Sequence, residues 1–103
     1  MKRYYVYMLR CFDGSLYVGI TNNIDRRFYE HSAGVNKTCY TYSRRPLILA
    51  YVEEFGEVLD ALDAETLLKH WSHRKKLAFI ERRVGDLKRY ARGKNRYERT
   101  RSP

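Results

Sequence analysis

The sequence predicts an α+β domain: a three-stranded, at least partly antiparallel sheet flanked by helices, in the order β-β-α-β-α-α. Three observations lead there. Two runs of β-formers flank Asp13-Gly14, a strong hairpin signal. A third apolar run opens after Pro46 and closes at Gly56. Helix caps and helical apolar spacing occupy the remaining stretches.

The first strand spans residues 3–11, where Tyr4 to Leu9 are β-formers with almost no breakers. Leu16-Tyr17-Val18-Gly19-Ile20-Thr21 returns as the second strand. Asn22-Asn23 offers a helix N-cap and Gly34 a C-terminal stop, which brackets a helix over roughly 24–32. Residues 35–45 are polar and aromatic, a loop with room for one helical turn. The third strand runs from Leu47 to Phe55, and helices are expected over about 57–70 and 72–90. Residues 91–103 hold too few apolar groups to fold and are expected to form a basic, disordered tail on a single domain of residues 1–90.

Composition narrows the function. No apolar run approaches the ~18 residues of a membrane helix, and the N-terminus enters a strand pattern with no signal-peptide core. A cytoplasmic, soluble and monomeric protein is expected. Cys11 and Cys39 form no Cys-x-x-Cys pair, so reduced thiols are expected rather than a disulfide framework or zinc site. Net charge is +9 and unevenly placed. Residues 1–68 hold 8 Lys/Arg against 9 Asp/Glu, and residues 69–103 hold 13 against 3. Such a basic block attracts polyanions by counterion release, although a solubilising tail or a ribosomal contact would read the same.

Three constellations could carry chemistry. Ten tyrosines include Tyr5 and Tyr7 on one face of the first strand, and Tyr17 on the face of the second that also holds Gly19 and Thr21. Tyrosine fills sheets readily, but a glycine inside a strand marks the close approach of something else. Arg27 and His31 stand i,i+4 on one helix face, a guanidinium fork beside a group able to move a proton. On a helical wheel Val58, Ala61, Leu62 and Leu68 lie within about 60° of Glu65, at 100° per residue. Glu65 is therefore the one acid of its helix centred on the apolar face, a place that suits a metal ligand or an Arg partner.

Together these residues resemble one family. Tyr5-Val6-Tyr7, nine residues, then Tyr17-Val18-Gly19 is similar to the paired signature of GIY-YIG nucleases. The run Ile20 to His31 resembles the helix after the second motif. Ala64-Glu65 through Lys69, followed by Trp71 to Ile80, resembles the second half of the small single-domain bacterial members. The likeness covers about residues 3–83. It implies one-metal hydrolysis of nucleic acid phosphodiesters with Mg²⁺ or Mn²⁺, weakly specific or structure-directed, with DNA favoured over RNA as the partner. It implies Tyr7 and Tyr17 lining the site, with Tyr17 the base or the group that orients water. Arg27 would contact the scissile phosphate, His31 would assist, and Glu65 would hold the metal. Gly19, Arg26, Arg74, Lys75 and Lys76 are expected at the nucleic-acid surface. A cation near Tyr17 would favour its phenolate, whose ordinary pKa near 10 makes it a poor base. Tyr5 stands where the first motif has Gly, Ile20 where many members carry Lys or Arg, and Leu77 where helical spacing would place an Asn. The alternative is a nucleic-acid-binding module with little or no cleavage, or a protein-interaction module.

The shared site sets the hairpin register. A two-residue Asp13-Gly14 turn pairs Phe12 with Ser15 and Tyr7 with Ile20, which sends Tyr7 and Tyr17 to opposite faces. A three-residue loop, Asp13-Gly14-Ser15, pairs Phe12 with Leu16 and Tyr7 with Thr21, and keeps them on one face. That odd loop is expected, as a G1 bulge with Gly14 left-handed.

Overall fold

A computed structural model describes residues 2–93, with side chains as far as Arg83. The elements are β1 (Tyr4–Arg10), β2 (Leu16–Thr21), α1 (Ile24–Ala33), a 3-10 turn (Tyr42–Arg44), β3 (Ile48–Phe55), α2 (Val58–His70) and α3 (His73–Gly93). The order is β-β-α-β-α-α, as expected. The sheet is wholly antiparallel, with β1 in the centre in the order β2-β1-β3.

The hairpin has the odd loop, shifted by two residues from the expected register. Tyr7 pairs with Gly19 and Leu9 with Tyr17, not Tyr7 with Thr21. The loop is Phe12-Asp13-Gly14. Gly14 N–H donates to the Cys11 carbonyl at 2.9 Å, and Cys11 N–H donates to the Ser15 carbonyl at 2.9 Å. Gly14 sits at φ 88°, the left-handed residue of the bulge. Phe12, expected to pair with Leu16, is a turn residue and is 78% exposed. A shift of two preserves parity, so Tyr7, Tyr17 and Gly19 still share a face.

Alternation divides β1 between two cores. Val6 and Met8 face Val18, Tyr51, Ala61 and Leu68, where α2 packs and Trp71, Phe79 and Ile80 add cover. Tyr7, Leu9 and Cys11 face the other way, against Leu47, Leu49 and the α1 residues Ile24 and Phe28. Val6, Met8 and Leu9 are wholly buried, each worth about 1.5–3 kcal/mol of apolar transfer. Leu47 joins this core, and the third strand begins one residue later, at Ile48.

Helix α1 begins and ends as expected. The Asn23 side chain accepts the Arg26 N–H at 3.0 Å, and Gly34 at φ 70° closes the helix. Its end fixes His31, whose carbonyl accepts the Gly34 N–H. Helix α2 is rotated from the wheel expectation. Ala61 and Leu68 are buried, but Val58 and Leu62 are 40% and 41% exposed, so the inward face is centred on Ala61, Ala64 and Leu68. Glu65 stays on that side, its side chain 14% exposed. Helix α3 runs from His73 to Gly93 rather than over 72–90, with Ser72 Oγ accepting the Lys75 N–H. Residues 91–93, expected in the tail, belong to this helix. The expectation for residues 94–103 lies outside the described residues.

Candidate functional site

The face of the sheet covered by α1 gathers three of the predicted residues, Tyr7, Tyr17 and His31. Tyr7 rises from β1, Tyr17 from β2, and His31 from the last turn of α1. Ring centroids lie 6.4 Å apart for Tyr7 and Tyr17, 5.9 Å for Tyr7 and His31, and 5.2 Å for Tyr17 and His31. The Tyr7 hydroxyl is 2.9 Å from His31 Nε2. Tyr7 and His31 are 2% and 7% exposed. The group that approaches Gly19 is Tyr7: a Cβ at position 19 would collide with its ring and hydroxyl. Glycine in β2 is the space in which Tyr7 reaches His31.

Arg27 lies one turn before His31 on α1. Its Nε is buried and has no hydrogen-bond partner among the described residues. The nearest acid oxygen, Glu30 Oε1, stands at 3.6 Å, within ion-pair range but too long for a hydrogen bond. The guanidinium thus keeps an unmet donor, a condition an oxyanion would relieve. Arg26, more exposed, stands 3.8 Å from the other oxygen of the same Glu30 carboxylate.

Glu65 comes from α2, which rests on the Val6–Met8 face. Its charge nonetheless acts on both tyrosine hydroxyls and opposes their ionisation. It pairs with Lys69 at 3.1 Å, one turn on, rather than with an Arg. Among the described residues no three His, Cys, Asp or Glu side chains stand together as a metal cage. One carboxylate fits a hard divalent ion that keeps several waters and takes its remaining ligands from a substrate phosphate. Glu65 could offer that carboxylate.

The basic residues of α3 are not in this cluster. Arg74, Lys75 and Lys76 open a helix that packs on the opposite face through Phe79 and Ile80. Lys75 Nζ lies 4.4 Å over the Trp71 ring. Ile20 packs toward the same core, beside Val6 and Met8.

Four participants were not singled out from the sequence. Thr41, 1% exposed, sets its hydroxyl 2.9 Å from His31 Nδ1. It also donates to Cys39 Sγ at 3.4 Å. Tyr40 stacks on Tyr17, centroids 6.2 Å apart and planes 17° apart, with Arg44 3.8 Å over its ring. Arg44 Nε also donates to Asp13 Oδ2 at 3.1 Å, tying this loop to the hairpin turn. The segment 35–45 has no periodic pattern, so nothing local marks which of its hydroxyls and rings turn inward.

Burial dominates the electrostatics. It pushes the Tyr7 hydroxyl well above its usual range, with Tyr17 adding to the effect and Arg27 opposing it. Burial also raises Tyr17, with Cys39 adding and Arg27 opposing. Arg27 therefore acts in the expected direction but is outweighed, and both tyrosines are neutral hydroxyls at pH 7. Burial lowers His31 below its ordinary 6.5, and Arg27 lowers it further against Glu30. A neutral imidazole faces Tyr7. The Cys39 thiol, which burial alone would raise, is pulled lower by hydrogen bonds from Thr41 and Tyr17.

Residues 3–78 match the family described as the GIY-YIG catalytic domain. The chain belongs to the GIY-YIG family. Over 83 residues it is 41% identical to a UPF0213 protein of Staphylococcus haemolyticus, covering 81% of this chain and 100% of that one. It is 44% identical over 80 residues to a UPF0213 protein of Limosilactobacillus reuteri, covering 77% and 83%. The solution NMR structure of a UPF0213 protein from Bacillus halodurans matches with a TM-score of 0.52 at 38% identity, over 77% of this chain and 83% of that one. A solution NMR structure of an E. faecalis protein matches with a TM-score of 0.56 at 31% identity, over 94% and 95%. GIY-YIG domains form a nuclease family acting on nucleic acids, and such nucleases are generally dependent on a divalent metal. No helix among the described residues is long and apolar enough to cross a membrane.

Proposed function

We propose that this GIY-YIG protein is a metal-dependent endonuclease that hydrolyses nucleic acid phosphodiesters, DNA in preference to RNA, with weak sequence preference or direction by substrate structure. The observation that carries this reading is the buried contact between Tyr7 and His31, 2.9 Å long, beside the unpartnered donor of Arg27. A neutral hydroxyl bonded to a neutral imidazole is a path for a proton. A guanidinium with a free donor is a seat for a phosphate oxygen.

In this scheme Arg27 binds a nonbridging oxygen of the scissile phosphate and offsets charge that builds during attack. Tyr17, neutral and held between His31 and Tyr40, positions the attacking water. As the water attacks, its proton moves to the Tyr7 oxygen while the Tyr7 proton moves to His31 Nε2. The ester P–O bond opposite the water breaks and the leaving oxygen takes a proton from solvent, while the imidazolium, in the field of Arg27, returns its proton to solvent through Tyr7. Glu65 would hold a single Mg²⁺ or Mn²⁺, which supplies Lewis-acid stabilisation of the phosphate when bound. Arg26 on α1, and Arg74, Lys75 and Lys76 on the opposite face, serve as nonspecific phosphate contacts, and a monomer carries the whole site. The cytoplasm is its proposed compartment.

The test is a substrate panel. The protein is incubated with branched, nicked, single- and double-stranded DNA and with RNA, in Mn²⁺, Mg²⁺ or EDTA. Cleavage of DNA that EDTA abolishes supports the reading. Salt-sensitive binding without cleavage in any metal favours a nucleic-acid-binding module instead.

A further inference from the structure

Thr41 is buried in a loop that the family resemblance does not use, yet its hydroxyl touches the imidazole at the centre of the site. A threonine hydroxyl has one proton and two acceptor lone pairs. Here the proton is directed at Cys39 Sγ, 3.4 Å away, which leaves a lone pair toward His31 Nδ1 at 2.9 Å. An acceptor on that side requires that Nδ1 carry the imidazole proton. A neutral imidazole has only one N–H, so Nε2 is then bare. Nε2 is the atom 2.9 Å from the Tyr7 hydroxyl, whose single proton can go only to an acceptor. The contacts form one directed chain: Tyr7 O–H to His31 Nε2, His31 Nδ1–H to Thr41 Oγ1, and Thr41 O–H to Cys39 Sγ.

We propose that Thr41 is a positioning residue that locks His31 in the Nδ1–H tautomer, so that Nε2 stays free to take the Tyr7 proton. The opposite tautomer would place N–H against the Tyr7 oxygen and reverse the direction in which a proton can travel. Thr41 touches no substrate; it acts through His31. Cys39 is the far anchor, since its sulfur receives the Thr41 proton. The other charged or titratable groups around His31 are Arg27 and Glu30 on α1, Tyr7 on β1 and Tyr17 on β2. None of them contacts Nδ1, whose second and longer hydrogen-bond partner is Cys39 Sγ at 3.8 Å; an Nε2–H imidazole would assign that thiol as the donor. The catalytic consequence rests on the proposed hydrolysis, but the tautomer itself does not.

The experiment reads the tautomer directly. Long-range proton–nitrogen correlation spectra of the ¹⁵N-labelled full chain, at a pH above the His31 titration, distinguish Nδ1–H from Nε2–H. The wild type is expected to show Nδ1–H alone. Thr41→Val keeps the shape and loses the hydroxyl, and should show Nε2–H or a mixture; Thr41→Ser should restore the wild-type pattern. An Nε2–H wild type overturns the proposal, whether or not any variant folds. So does Thr41→Val with an unchanged His31 spectrum. In a parallel cleavage assay Thr41→Val should lose roughly tenfold or more in kcat with KM little changed, and Thr41→Ser should recover it. If the wild type shows Nδ1–H but cuts nothing, the hydrolysis reading fails and the tautomer lock stands. If the wild type cuts but shows Nε2–H, the lock fails and hydrolysis stands.

Discussion

The Tyr7 hydroxyl and His31 Nε2, 24 residues apart in the chain, meet at 2.9 Å in the buried face between β1 and α1. Removing only that oxygen should separate structure from chemistry. Tyr7→Phe keeps the ring over Gly19 and leaves a buried imidazole nitrogen without a partner. Loss of about 1–3 kcal/mol in denaturant unfolding is expected, together with a fall in cleavage of roughly 10²-fold or more. Equal activity in the two proteins would remove Tyr7 from the proton path.

Gly19 should tolerate no side chain. The methyl of Gly19→Ala would enter the volume of the Tyr7 ring, so either the ring or the strand must move. Destabilisation of about 1–3 kcal/mol is expected, and NMR spectra should no longer show Tyr7 against His31. A Gly19→Ala protein with wild-type stability and the Tyr7–His31 hydrogen bond intact would mean that Tyr7 does not lie over β2.

His31 makes stability depend on pH with a defined sign. Its folded pKa is depressed by burial and then by Arg27, below the unfolded value near 6.5. The unfolded chain therefore binds the extra proton first as pH falls. The stability associated with neutral His31 is complete above pH 6.5 and is lost as pH drops toward the folded value. Melting temperature should decline on acidification from pH 7.5 through 5.5, and His31→Gln should flatten that part of the curve. An equal decline in the variant would assign it to other groups.

The face that carries this site was legible in the sequence, while the register and the groups that surround His31 were not. The shared site that the resemblance implies calls for an odd hairpin loop, and any three-residue loop then puts Tyr7, Tyr17 and Gly19 on one face. Which three depends on Phe12, whose β-propensity argues for strand, while the Cys11–Gly14 turn holds it 78% exposed. Arg27 and His31 were readable from i,i+4 spacing on a capped helix. The rotation of α2, which leaves Val58 and Leu62 exposed, comes from its fit on Val6, Met8 and Val18. No helical wheel contains that information. Thr41 carries no local sign of burial; a tertiary hydrogen bond with His31 defines it. The raised tyrosine pKa values likewise come from desolvation outweighing Arg27, a balance that residue order does not express.

The basic C-terminal segment gives a separate test. Truncation after Gly93 removes Lys94, Arg96, Arg99 and Arg101 and leaves the tyrosine site whole. If these residues neutralise phosphates, the slope of log affinity for duplex DNA against log salt should flatten by about 0.9 for each phosphate no longer neutralised. A slope equal to that of the full chain would mean that other residues neutralise the phosphates.

Single-turnover cleavage of a nicked or branched DNA in Mn²⁺, run side by side for the wild type and Glu65→Gln, tests the central claim most directly. Glu65→Gln keeps the shape of a side chain that already pairs with Lys69, so a stability change within about 1 kcal/mol is expected. Metal-dependent cutting by the wild type, with Glu65→Gln folded and DNA-bound yet inactive and weak in Mn²⁺ titration, is the predicted result. Cleavage by Glu65→Gln at the wild-type rate would contradict the account, as would a wild type that binds DNA but cuts none in any metal.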